Sequence, residues 1–462
     1  MLTVYNLFDT MRHPFRFLAL SAFIVGDLCA YAQQPVNKQV SEIVAQVSEQ
    51  KVAETLKTLE AFQTRNIYSS EDDPVHGIGA ARRWIAGQFR SDSPRLQVSF
   101  DRHGIKASGR VFKDVQIYNV IAVLPGTTEP DRHVIVSGHY DSMNMVIKTD
   151  AGGRRTLDAE ATVTAIAPGV TDDGSGTAAV MELARVMSQY KFRKTIVFIA
   201  FAGEEYGLLG SSAYAEAAKA RGDIIEGVFN NDIIGSDVRG DGGKGNRKIN
   251  IYSEDPNDSL SRQLARYIRD SAARYLPEMQ VNLVFRHDRF GRGGDHSPFN
   301  AYGYAGVRIT TPYETFSNQH TATDTFANTS PSFTALVTKV NAAGLASLAL
   351  APKPPQLTLP AATGKPIVNP LSRGASGYDA DLRWSDPQPE EDLAGYAIVI
   401  RDTKSPYWEH ETFVGKVSQY TLPGVSIDEV VLGVRAIDKD GNESLVSAYV
   451  NPPYKQRPVV TF

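Results

Sequence analysis

A single cysteine, Cys29, stands in 462 residues. No disulfide can form within the chain, so an apolar core, helped at most by a bound metal, must hold the fold. Charge of one sign is equally scarce in excess: 48 Lys and Arg face 52 Asp and Glu, for a formal charge of -4. Binding to nucleic acid or to an anionic membrane draws on a clear surplus or block of one sign, so neither partner is expected. Two hydrolase signatures are missing as well. There is no His-Glu-x-x-His pair and no Gly-x-Ser-x-Gly elbow, which removes a helix-borne zinc pair and a serine nucleophile. Internal repeats and low-complexity tracts are also absent.

The apolar stretch nearest the N-terminus, "FLALSAFIVGDLCAYAQ", is interrupted by Asp27 and is too short to span a bilayer. It follows Arg12, His13 and Arg16 and ends in Ala30-Tyr31-Ala32. That basic, apolar, small-x-small order predicts a signal peptide over residues 1–32, cleaved after Ala32. The expected product is secreted or periplasmic, free of cysteine, and without stable membrane insertion.

Beyond the signal, "VSEIVAQVSEQKVAETLKTLEAF" and "GIGAARRWIAGQFR" carry apolar residues at three- and four-residue spacing, the mark of amphipathic helices. Apolar and β-branched runs follow at 115–126, 133–142, 194–205, 227–235, 248–253 and 305–311, with helical patterns such as "GTAAVMELARVMSQY" and "SLSRQLARYIRDSAARYL" between them. Alternation of this kind predicts an α/β domain around a mostly parallel central sheet flanked by helices, over residues 33–351, closed by the helix "PSFTALVTKVNAAGLASLAL". At "APKPPQLTLP" the composition changes to short strand-like pieces separated by turns. A small all-β sandwich is expected over 352–462. The proline-rich junction further predicts that a chain ended near Pro354 folds and works alone.

In an open α/β sheet, ligands gather beyond the carboxyl ends of the strands, and acidic and histidine residues are concentrated there. His139 and Asp141 follow "HVIVSG", Asp172 and Asp173 precede a helix in "GVTDDGSG", Glu204 and Glu205 follow "IVFIAFAG", Asp232 closes "GVFNND", and His320 lies in "YETFSNQHTATDT". Each group alone reads as a turn, a cap or a solvated face. Their joint placement at successive strand ends points to a metal site.

The stretches "GHYDS", "TDDGSGTAAVMELAR", "FAGEEYGLLGS", "NNDIIGS" and "QHTATDT" resemble the zinc-dependent exopeptidase family that contains the secreted bacterial aminopeptidases, glutamate carboxypeptidase and, more distantly, glutaminyl cyclase. The resemblance runs over residues 40–350. It implies two zinc ions, one held by His139 and Asp232, the other by Glu205 and His320, with Asp172 bridging both and Glu204 left as general base. Imidazole and carboxylate are donors that zinc prefers, although cobalt or manganese can use the same set. Two ions roughly 3.5 to 4 Å apart acidify a shared water and polarise a carbonyl. Asp141 is expected to accept a hydrogen bond from the His139 imidazole and set its tautomer. The implied function is hydrolysis of the N-terminal peptide bond of peptides with a free N-terminus. A carboxypeptidase or glutaminyl cyclase on the same fold is the alternative within the family, and a non-catalytic binding protein the alternative outside it.

Some relatives carry a tyrosine directly before the last histidine; here that residue is Gln319. Tyr313 and Arg292 are the candidates to replace it at the oxyanion. Asp295 and His296, in "GRGGDHSPF", match a family stretch near the substrate pocket and serve either substrate contact or structural support. The polar stretch 144–169 either rims the pocket or is an inert loop. In the C-terminal region "LRW", "DLAGYAIVIR" and "GVRAIDKDGNES" resemble fibronectin type III domains.

Overall fold

The six apolar runs read as strands all enter one eight-stranded sheet, joined by two strands at its edges. In chain order the strands are β1 (Gln97–Ile105), β2 (Val115–Leu124), β3 (Glu129–His139), β4 (Lys194–Phe201), β5 (Ile224–Asn231), β6 (Lys248–Ser253), β7 (Gln280–Val284) and β8 (Gly306–Thr310). Their spatial order is β1-β2-β4-β3-β5-β8-β6-β7. The four central strands β4, β3, β5 and β8 run parallel. This computed structural model describes residues 36–357, 359–360, 366–367, 370–385 and 391–450. The expected signal peptide over 1–32, with its expected cleavage after Ala32, and Cys29 lie outside the described residues.

The two edge strands had no clear sequence pattern for a physical reason. β1 is largely exposed along its length and β7 only partly buried, so neither needs the apolar runs of the centre. β4, by contrast, is buried at every residue and sends alternate side chains to opposite faces. Ile196, Phe198 and Ala200 join one core with Val134 and Val136 of β3. Val197, Ile199 and Phe201 join a second with Ile135.

Helices cover both faces. The larger core takes α1 (Lys38–Gln46), α2 (Glu49–Ala61), α3 (Gly77–Asp92), α5 (Ser175–Met187), α7 (Leu260–Tyr275) and α9 (Pro331–Leu350). α6 (Leu209–Arg221) and α8 (His296–Ala301) cover the smaller one through Tyr214 and Phe299. α1 and α2 are separate helices because Ser48 caps the second, accepting from the Lys51 amide, a start signal that interrupts the apolar period. α9 is long and apolar enough to cross a bilayer, yet 83% of its most apolar window is buried inside the domain. It is a core helix. The 144–169 stretch forms a hairpin, Ile147–Thr149 against Arg155–Leu157, and then helix α4 (Ala159–Thr164).

Besides a two-stranded ladder of Leu359–Pro360 with Pro366–Ile367, the C-terminal region forms two larger antiparallel sheets. One contains β9 (Leu371–Arg373), β10 (Ala380–Arg383) and β13 (Gln419–Leu422); the other contains β11 (Leu393–Asp402), β12 (His410–Gly415), β14 (Val430–Asp438) and β15 (Ser447–Ala448). Leu382, Trp384 and Leu422 from the first side meet Tyr396, Ile398 and Val434 from the other in one core. This unit docks firmly on α7. Arg266, nearly fully buried, donates to the Pro406 carbonyl at 2.8 Å and lies over both Trp408 and Phe285. Trp408 Nε1 donates to Gln263, Arg401 pairs with Asp258, and Glu443 accepts from Arg274 at 2.6 Å. Leu445 belongs to the larger α/β core itself.

These contacts replace the expectation of a self-sufficient chain ending near Pro354. Removing the sandwich uncovers the buried Gln263 and Arg266 of α7, leaves Arg274 without Glu443, and takes Leu445 out of the main core. The truncated chain is expected to aggregate or to melt roughly 5 °C below the full chain, as a loss of about 3 kcal/mol does in a domain of this size. Thermal denaturation of both chains checks this; equal melting temperatures would show that the interface contributes nothing.

Candidate active site

Strand register brings the site together. His139 lies beside Phe201 across β3 and β4, and Ile309 beside Asn231 across β8 and β5, so the segments leaving these strands emerge side by side. Helix α5 starts immediately above them. That approach needs glycines: a Cβ on Gly138 would sit 2.6 Å from the Gly176 backbone, and one on Gly176 2.5 Å from the Asn231 carbonyl oxygen. Asp173 locks the junction, its carboxylate accepting from the main-chain amides of His139 at 3.0 Å, Gly176 at 2.8 Å and Ile233 at 3.2 Å.

His139 is buried at the end of β3. Its Nδ1 is 3.1 Å from the Asp141 main-chain oxygen, which directs Nε2 into the site. There Nε2 is buried without a hydrogen-bond partner, 3.3 Å from Asp172 Oδ1 and 4.0 Å from Glu204 Oε2. Asp172 turns its other oxygen to His320 Nε2 at 3.1 Å. His320 Nε2 is also 3.0 Å from Glu205 Oε2, while Glu205 Oε1 is buried with no hydrogen-bond partner. Donor atoms therefore fall into two neighbouring groups, His139, Glu204 and Asp232 in one and Asp172, Glu205 and His320 in the other, each within 4.8 Å. The Asp172–Asp173 peptide is cis.

The electrostatics express a demand for positive charge. Burial works to lower the His139 pKa, but Asp141 and Asp172 outweigh it and hold it well above the usual imidazole range. His320 reaches about 11, burial being overcome by Glu205 and Asp172. Burial raises Glu204 well above the usual carboxyl range and raises Glu205 too. Anions this crowded draw protons onto both histidines, and a divalent cation meets the same demand. Together with the orphaned His139 Nε2 and Glu205 Oε1, the imidazole and carboxylate set fits zinc.

Around these donors lies a supporting layer that the sequence only partly revealed. The Asp141 carboxylate, expected to orient His139, instead accepts from the main-chain amides of Glu204 at 3.2 Å and Glu205 at 3.4 Å. Its oxygen nearest the His139 ring is 3.6 Å away, so the main-chain carbonyl is the hydrogen-bond acceptor. Asp324, in the stretch "QHTATDT" four residues after His320, holds the Thr171 and Asp172 amides, both at 2.9 Å. Buried Arg308 donates to Asp232 Oδ2 at 2.8 Å. Burial acts to raise Asp232, yet Arg308 and Arg289 prevail and bring it to about 2. An arginine inside the apolar run "AGVRITT" was the available signal, since such a residue is buried only when paired. Arg65, whose guanidinium donates to the Tyr140, Leu59, Pro168 and Gly169 carbonyls, left no local pattern at all.

A cavity of about 760 Å³ opens on the site, lined by Glu204, Glu205 and His320 and by Arg110, Arg292, Leu208 and Phe316. Met143, Met145, Ile147 and Leu157 form another part of the lining, so the 144–169 stretch rims the pocket. A main-chain hydrogen bond from Met145 to the His320 carbonyl, 2.9 Å, ties it there. Gln319 donates to Asp172 Oδ2 at 2.8 Å. Of the other candidates, Arg292 is in the cavity wall. Tyr313 is not among its lining residues and packs against Gly245, where a Cβ would lie 2.3 Å from its hydroxyl. Asp295 and His296 are buried outside the lining. Burial raises Asp295 to about 7 and lowers His296 to about 4, whose Nε2 sits 3.0 Å from the His287 carbonyl.

Buried imidazole and carboxylate donors at the carboxyl ends of parallel strands define a metal site in an α/β protein. Residues 119–345 match Peptidase family M28. A "Probable zinc metalloprotease" of Phaeosphaeria nodorum is 33% identical over 452 residues, covering 90% of this chain and 88% of its own. One from Pyrenophora teres f. teres is 35% identical, covering 89% and 86%. The chain belongs to the zinc metalloprotease family M28. Ninety per cent coverage also reaches well past residue 345, into the sandwich. Among solved structures, LapA and LapB of Legionella pneumophila share the fold at TM-score 0.50, with 18% and 21% identity; they cover 68% and 69% of this chain and 76% and 77% of their own.

Proposed function

We propose that this chain is a secreted or periplasmic di-zinc aminopeptidase that removes the N-terminal residue of peptides with a free N-terminus. The observation that carries the reading is the Asp172 carboxylate, whose two oxygens face the two histidines at 3.3 and 3.1 Å, the disposition a bridging ligand requires. In this reading His139 and Asp232 would hold one zinc, Glu205 and His320 the other, and Asp172 would serve both. Bound zinc supplies Lewis acidity toward the scissile carbonyl and toward the attacking water.

The chain's own groups do the rest. Glu204, in the cavity wall and raised by burial, takes the proton of the attacking water and returns it to the leaving amine. Asp141 fixes the Glu204 and Glu205 main chain, and Asp324 fixes that of Asp172, so the donors are held before substrate arrives. A protonated α-amine suits a wall that carries Glu204 and Glu205. The hydrophobic lining from Met143 to Leu157 covers the first side chain and limits water. The C-terminal unit is read as a fibronectin type III-like domain over 352–462, on its Trp384 and Tyr396 core. The N-terminal pattern Arg12 to Ala32 supports export.

Two measurements test this. Aminoacyl-nitroanilides are expected to be cleaved, with activity lost on exhaustive chelation and regained with zinc. Of matched peptides with free and acetylated N-termini, only the free form is expected to release its first residue. Cleavage of the acetylated peptide from its C-terminus would establish a carboxypeptidase instead; full activity in a chain verified to hold no metal would end the zinc reading.

A further inference from the structure

The cavity wall contains two guanidinium groups with no evident internal purpose. Arg110 comes from the turn between β1 and β2, and Arg292 from the loop between β7 and α8. Neither makes a side-chain hydrogen bond or ion pair with any described residue. Of the acids near them in sequence, Asp114 pairs with Lys106 at 2.7 Å, Asp288 pairs with Arg289 at 3.2 Å and Arg308 at 3.4 Å, and Asp295 is buried without an ion pair to Arg292. Nor do they neutralise the acids of the same cavity, since neither lies within ion-pair distance of Glu204 or Glu205. Two segments far apart in sequence thus bring unpartnered, permanently charged, planar donors to one cavity. Carboxylate is the chemistry that matches such donors.

We propose that Arg110 and Arg292 form a carboxylate-binding subsite for the peptide substrate. The inference rests on the aminopeptidase reading for its direction. With the α-amine near Glu204 and Glu205, the carboxylate belongs to a residue beyond the scissile bond. A cavity of about 760 Å³ lies within the range of pockets that enclose a whole small ligand. An extended tripeptide spans about 10 Å. The substrate class is therefore short peptides with an apolar first residue, set against Met145, Ile147 and Leu157, and a carboxylate at the second or third residue. That carboxylate is the free C-terminus or an acidic side chain.

Three peptides distinguish the sources: Leu-Ala-Ala as the free acid, the same peptide as the C-terminal amide, and Leu-Ala-Glu amide. Affinities are measured by calorimetry on the zinc-loaded Glu204→Gln chain, and kcat/KM on the wild type. The free acid is expected to exceed Leu-Ala-Ala amide by about tenfold, a typical return for charge-assisted bonds at a partly open site. Recovery by Leu-Ala-Glu amide would show that a side-chain carboxylate is accepted; recovery by the free acid alone would assign the subsite to the C-terminus. Arg110→Met and Arg292→Met should each shrink the ratio roughly threefold and together bring it to one, with Arg292→Lys retaining part of it. Both carboxylate peptides binding no better than the amide, or a ratio unchanged in the double variant, overturns the proposal. Absence of hydrolysis in every arm would sink the aminopeptidase reading alone, because the calorimetric ratio still decides the subsite.

Discussion

Glu204→Gln is expected to keep two metal ions and lose turnover by roughly 10²-fold to 10⁴-fold, the usual contribution of a positioned acid/base group. The amide preserves size and hydrogen-bonding reach but cannot accept a proton. Its neighbour should behave differently. Glu205, 3.0 Å from His320 and with a second oxygen that has no hydrogen-bond partner, is placed as a ligand, so Glu205→Gln should first lower the occupancy of one ion. The pair needs testing because donor-atom grouping alone puts Glu204 with His139 and Asp232. Metal content measured beside rate decides it. Loss of metal from Glu204→Gln with both ions retained in Glu205→Gln would reverse the roles, and full rate in both would place the chemistry elsewhere.

Asp172→Asn should have the widest effect, emptying both positions and taking activity below detection. One anionic group facing two histidines is what allows two divalent ions to lie close together; a neutral amide removes that charge and one oxygen at once. Gln319, which donates to the same Oδ2 at 2.8 Å, would then face an amide and lose its charged acceptor. Asp324→Asn provides the graded comparison. It leaves every donor in place but weakens the grip on the Asp172 main chain, and should cost about 10-fold to 100-fold in metal affinity, as removal of such outer support does. Metal titration of the two variants is the check. If Asp172→Asn retains two ions at wild-type affinity, this carboxylate does not bridge.

The donor set was legible because α/β topology obliges ligands to lie at strand ends, and the central strands announce themselves as apolar runs. His139, Glu204, Glu205 and Asp232 each stand at or just beyond such a run, and Asp172 at the start of an apolar helix. The same logic failed where burial was partial. β1 and β7 are edge strands without a continuous apolar run, and the interface between α7 and the sandwich is built from Arg266 and Gln263 on one side and Trp408 on the other, which read locally as ordinary surface.

By itself the sequence determined the alternation of strands and helices, the change to an all-β region near Ala351, and which residue types stand at which strand ends. All of these are periodic or local, and hydrophobic period and turn chemistry record them directly. Tertiary structure alone decided that the Asp141 carboxylate braces the two glutamates while its main-chain oxygen meets His139, that Asp324 and Arg65 hold the loops around Asp172, that Tyr313 packs away from the cavity, and that Arg110 and Arg292 line the same cavity. Each depends on the direction of one side chain or carbonyl between segments tens to hundreds of residues apart. Such directions are set by the packing of the whole core, which no local pattern encodes.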